Sequence, residues 1–126
     1  NLVLMQKKSI LLDGVRILGT TMWSNVPPDR EQAVQRGLAD YYLISTTQDG
    51  FRRKITVEDT NRWFNEEVSW LSEEISKAKE HNEPVMVLTH HSPIKDGSHP
   101  KHEHSSINSA FCSDLQFLMG PPVKVW

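Results

Sequence analysis

Apolar positions change their period several times along the chain, and each change marks an expected element. Leu2, Val3, Leu4 and Met5 form an apolar run that predicts a short strand. Ile10-Leu11-Leu12 and Val15-Arg16-Ile17-Leu18 flank Asp13-Gly14. An Asp-Gly pair between two apolar runs predicts a hairpin, because a type I′ turn needs positive φ at both central residues. The second strand is expected to run on through Gly19-Thr20-Thr21-Met22-Trp23, whose β-branched and aromatic side chains suit a sheet. Pro27-Pro28 then ends regular structure. Residues 29–37 predict a short helix, with Asp29 as its cap and Gly37 just beyond it. Residues 38–55 mix Tyr41, Tyr42, Leu43 and Ile44 with Asp49-Gly50 and read as a long surface loop. The loop ends in a basic run, Arg52-Arg53-Lys54.

The longest periodic stretch predicts a helix over 57–81. Phe64, Val68, Leu71, Ile75 and Ala78 fall on one face, and Trp63 and Trp70 widen it. Thr56 serves as N-cap, and Glu58 and Asp59 suit the positive end of the helix dipole. Glu73 and Lys77 are placed as an i,i+4 pair on the outside. Asn82 and Pro84 stop the helix, and Val85-Met86-Val87-Leu88-Thr89 follows. A continuous apolar run after an amphipathic helix predicts a strand buried on both faces, as in layered α/β folds. A second helix is expected over 108–119, with Ala110, Phe111, Leu115 and Leu118 on one side. Val123-Lys124-Val125-Trp126 predicts a further strand. A strand at the last residue, and Asn1 rather than Met at the first, are taken as signs of a truncated domain.

Composition narrows the function classes. The 14 Lys and Arg against 16 Asp and Glu give a net charge of −2, so no basic excess points to nucleic acid. A single cysteine excludes an intrachain disulfide and favours a reducing compartment, so a cytoplasmic location is expected. No apolar run reaches the ~18 residues of a membrane-spanning helix, and no secretory leader is visible.

The histidines carry the chemistry. Of six, five fall within residues 90–104: His90, His91, His99, His102 and His104. His90 and His91 directly follow the expected buried strand, where α/β sheets place their ligands. Neutral imidazole is a common ligand for zinc, manganese, iron or nickel, and a rigid strand end holds it precisely. The other reading of this pair is two polar residues satisfying loop backbone groups. His102-Glu103-His104 lies in a Ser/Pro/Lys-rich loop and lacks the spacing of a structural zinc site, so it reads as solvated loop. Cys112 reads as a buried, inert thiol.

Several segments together resemble the calcineurin-like metallophosphoesterase family. They are VRILGTTMWS at 15–24, the helix from Trp63 to Ile75, VMVLTHHSP at 85–93, and HPKHEHSSINSAFCSDL at 99–115. The resemblance implies an α/β protein forming part of a four-layer α/β/β/α sandwich. It implies two divalent metal ions (manganese, iron, zinc or nickel) and hydrolysis of a phosphate ester by metal-activated water. It makes His90 a metal ligand, with His91 the alternative. The family's Asp-x-His, Gly-Asp-x-x-Asp, Gly-Asn-His-Glu and Gly-His-x-His motifs are absent from these 126 residues. The chain is therefore expected to be the middle to C-terminal portion of one domain, inactive alone, that pairs with the missing half or with a second copy. The competing expectation is a binding module, using the histidine-rich stretch 90–104 for one metal or its surface for a protein partner.

Overall fold

A computed structural model describes residues 2–97 and 104–126. The chain is mixed α/β. A four-stranded sheet of β1 (Lys8–Leu12), β2 (Val15–Gly19), β5 (Val85–Leu88) and β6 (Val123–Val125) carries helix α3 (Val57–Glu80) on one face. Two short helices, α1 (Glu31–Gly37) and α2 (Asp40–Leu43), and a hairpin of β3 (Ser45–Gln48) and β4 (Phe51–Lys54) lie between β2 and α3.

The Asp13-Gly14 turn forms as expected, with φ of 49° and 81°, and sets the antiparallel register Leu12↔Val15 to Lys8↔Gly19. β2 pairs parallel with β5, and β5 pairs parallel with β6. α3 is the crossover that parallel pairing demands. It opens with a reciprocal capping box: the Asp59 amide donates to Thr56 Oγ1, and the Thr56 amide donates to the Asp59 carboxylate. It closes at Asn82, whose φ of 56° is the left-handed geometry that asparagine tolerates.

Strand alternation divides the sheet. Leu18, Val85 and Val87 face α3 and pack with Leu71, Ala78, Met22, Leu115 and Leu118 in the main core. A second cluster of Val26, Val34, Tyr41, Ile55, Val57 and Ala110 fills the space under α1, α2 and the N-terminal half of α3. The opposite sheet face presents Ile10, Leu12, Val15, Ile17, Met86, Leu88 and Val125. None of these seven is buried, and Leu12, Leu88 and Val125 are 56%, 47% and 50% exposed. The expectation that β5 is buried on both faces is corrected: only its α3 face is covered.

Other expectations are also revised. Residues 2–5 form no strand, and their leucines lie in solvent. β2 stops at Gly19, because Met22 adopts a φ of 53° and turns its side chain into the core. α1 has no side-chain cap at Asp29, and Gly37 is its last residue rather than its stop. The 38–55 loop is instead α2 and a hairpin built on Asp49-Gly50, again with positive φ at both residues. Lys77 pairs with Glu74 at 2.7 Å rather than with Glu73. No helix forms over 108–119. Two single 3-10 turns, Asn108–Ala110 and Gln116–Leu118, bracket an extended stretch there. That stretch bonds to the loop after β5 through Ser92 N–H to Phe111 O, Ser113 N–H to Ser92 O and Leu115 N–H to Pro93 O. Among the described residues, no helix is long and apolar enough to cross a membrane.

Candidate functional site

His90 and His91 stand at the carboxyl end of β5, beside the carboxyl end of parallel β2. The pairing continues past both strands in fragments. Thr20 N–H donates to Leu88 O at 3.1 Å, and the amides of His90 and His91 both donate to Thr21 O, at 3.1 and 3.5 Å. The two histidines are thus tied to the turn that leaves β2, and their position follows from sheet register rather than from a free loop.

The two side chains differ. His90 is exposed. His91 is half-buried, its Nδ1 lying 2.9 Å from Ser24 Oγ and its ring edge-on to Trp23 with centroids 5.4 Å apart. Burial, with a smaller push from the neighbouring His90, pulls the His91 pKa down to about 4, while Asp40 pulls weakly the other way. His91 is therefore neutral at pH 7. The His90 and His91 rings are 5.1 Å apart. Thr89 Oγ1 donates to His91 O and accepts from the Trp126 indole, which anchors the back of this turn.

Beneath Thr21 lies a carboxylate that the sequence reading did not single out. Glu67 is 1% exposed, and its oxygens accept from Gln6 Nε2 at 2.6 Å, Thr20 Oγ1 at 2.8 Å and the Trp23 amide at 2.9 Å. A buried carboxylate is costly unless its lone pairs are filled, and three donors fill them here. Gln6 in turn accepts from the amide and hydroxyl of Thr21. Glu67 and Gln6 therefore lock the turn against which the histidines lie. A signal was present in the sequence, since position 67 sits on the apolar stripe between Phe64 and Leu71.

Two imidazoles suit a divalent metal in kind but not in number, because metal sites take three or four protein ligands in fixed geometry. Among the described residues, no group of three or more His, Cys, Asp or Glu side chains converges to hold an ion. His99, His102 and Glu103 lie outside the described residues, and His104 is exposed on a turn. Cys112 is buried as expected, and burial raises its thiol pKa. The basic run does not form a free patch: Arg53 forks onto Asp59, with its Nη2 2.8 Å from Oδ1.

No protein-family model matches the chain, and no solved structure matches it. It is similar to an uncharacterized protein of Acanthamoeba polyphaga mimivirus, 29% identical over 133 residues. That alignment takes in 100% of this chain and 46% of the viral protein, so the chain spans about half the length of the curated relative it matches.

Proposed function

We propose that the chain is part of a metal-dependent phosphoesterase in which His90 gives one imidazole to a divalent metal. The observation that carries this reading is the placement of His90 and His91 at the adjoining carboxyl ends of two parallel strands, fixed by backbone bonds to Thr21. That is where α/β sheets bind ligands. His90 is the better ligand of the two, being exposed, whereas His91 already engages Ser24 and packs on Trp23. His91 then serves as a neutral brace. Such metals polarise phosphoryl oxygens and activate water. The residues of this chain position the ligand and shape the surface where the phosphate ester rests.

The sheet supports the four-layer arrangement. Its uncovered face carries seven apolar side chains, as an inner sheet of a sandwich does. Four strands about 4.8 Å apart and three to five residues long give that face a footprint of roughly 270 Å². Stable dimers bury about 800 Å² per partner. A second copy docked through this face alone falls short of that, so a covering sheet within one polypeptide is the occupant we favour. The remaining metal ligands would come with it.

Manganese titration followed by histidine side-chain NMR tests the proposal. At millimolar manganese, where a single imidazole is occupied only in part, paramagnetic broadening is expected first at His90, with His81 unaffected, and His90→Ala abolishes the effect. Broadening confined to His102 or His104, or none near β5, would overturn it in favour of a separate histidine-loop site. The 126-residue chain is expected to leave bis-p-nitrophenyl phosphate intact in manganese. Robust turnover would show that it is a complete enzyme rather than a part.

A further inference from the structure

A groove of about 510 Å³ opens where residues 4–7, the turn after β2 and α3 meet, with Leu4, Trp23 and Trp63 as its apolar walls and Glu66 and Glu67 along its acidic side. Its size falls in the range of small-ligand sites. Trp23 and Trp63 stand 5.9 Å apart, centroid to centroid, and are tilted by 46°. Both are only partly buried, although the second core lies directly behind them. A ring face attracts a cation within about 6 Å of its centre. Because the centroids are only 5.9 Å apart, one position on the groove side lies within that reach of both rings.

Glu67 adds an unbalanced charge. Its carboxylate is 1% exposed and accepts from Gln6 Nε2, Thr20 Oγ1 and the Trp23 amide, all of them neutral donors. The Thr21 amide can only donate, so its bond to Gln6 Oε1 fixes that side chain and leaves Nε2 facing Glu67. Among the described residues, no lysine, arginine or histidine pairs with Glu67. Buried charges are ordinarily paired. Here the hydrogen bonds are filled while the charge is not balanced, and burial keeps its field from being screened. Glu66 places a second carboxylate at the rim, where Lys7 and Arg62 reach it only from exposed positions, at 3.5 and 4.0 Å.

We infer that this groove binds an organic cation with a methylated ammonium head, of the kind carried by choline or by a methylated lysine side chain. The inference is independent of the metal reading, since it uses neither the histidines nor a metal. Two ring faces and two carboxylates favour a cation and disfavour an anion. A bare ammonium is strongly hydrated and would leave N–H groups unpaired against Leu4 and the indoles. A quaternary head has no N–H to leave unpaired, and its methyl groups suit those apolar walls.

The test uses the intact chain, with indole N–H resonances as the readout. Choline is compared with its neutral carbon analogue, in which a tert-butyl group replaces the trimethylammonium. Choline is expected to shift the Trp23 and Trp63 indoles and to leave those of Trp70 and Trp126 in place. The neutral analogue should shift neither pair at the same concentration. Trp63→Leu should weaken choline about tenfold, and Trp63→Phe should recover part of the loss. Lys7→Gln removes the cation at the rim and should tighten choline about threefold, the worth of one exposed charge pair. Should Trp63→Leu unfold, the comparison of the two probes in the unaltered chain and Lys7→Gln, at an exposed side chain, still decide the matter. Equal shifts from choline and the neutral analogue would reduce the groove to an apolar surface and overturn the assignment. Silence at millimolar choline, or shifts confined to Trp70 or Trp126, would do the same. Tighter binding of choline than of acetyl-trimethyllysine amide assigns a free small molecule as the ligand, and the reverse order assigns a methylated protein side chain.

Discussion

Protonation of His91 gives a direct test of how tightly the site is built. The ring is half-buried beside Trp23, with Ser24 on Nδ1, and its pKa falls from 6.5 to about 4. The folded state thus resists a proton that the unfolded chain accepts. A depressed pKa contributes stability above the unfolded value, and that stability is lost as pH falls from 6.5 toward 4. Each pKa unit is worth about 1.4 kcal/mol, so the full loss is about 3 kcal/mol. Urea unfolding between pH 8 and pH 4 measures it, with His91→Gln as the reference because glutamine keeps a partner for Ser24 but does not titrate. The wild-type midpoint should fall more steeply than that of the variant from pH 6.5 downward, and the two curves should run parallel above pH 7.5. Parallel curves across the whole range would refute the claim that burial holds His91 neutral.

Three further outcomes follow from the packing. Asp59→Asn removes the carboxylate that Arg53, Arg62 and the Thr56 amide all address, and should cost about 2 kcal/mol in urea unfolding, combining a lost cap with weakened charged hydrogen bonds. The Asp59 pKa lies well below the usual carboxylate range, chiefly through Arg53, so the wild-type advantage over this variant should fade only at strongly acid pH. Leu71→Ala empties a fully buried position between α3 and the sheet and should cost 2–5 kcal/mol, read as a lower thermal midpoint. Leu88→Lys, on the uncovered sheet face, should leave the stability of this chain within about 0.5 kcal/mol, because the side chain makes no core contact here. A large loss from Leu88→Lys, with self-association of the wild type by sedimentation, would show that a second copy already covers the face.

The legible and illegible parts of the chain differ for physical reasons. Asp13-Gly14 and Asp49-Gly50 are the same turn, yet only the first is legible as a hairpin from its flanking residues. Its flanks are apolar, whereas Ser45-Thr46-Thr47-Gln48 and Phe51-Arg52-Arg53-Lys54 lack a buried alternation. Turn geometry set the pairing there without help from hydrophobic patterning. The spacing of Ala110, Phe111, Leu115 and Leu118 suits a helix, but the loop after β5 needs partners for Ser92 N–H, Ser92 O and Pro93 O, and the 111–115 segment supplies them in extended form. Local propensity gave way to the hydrogen bonding of a neighbouring element.

Near-neighbour rules suffice for the Asp13-Gly14 hairpin, the capped amphipathic helix expected over 57–81 and found over Val57–Glu80, the apolar strand after it and the histidine pair at that strand's end. Each follows from side-chain periodicity or a turn rule acting within a few residues. What depends on distant partners exists only in the folded molecule. Folding sets β5 between β2 and β6, closes Glu67 beneath the Thr21 turn, and distinguishes exposed His90 from braced His91. It also leaves one sheet face apolar and open, because burial is a property of the assembled layers and no window of sequence contains it.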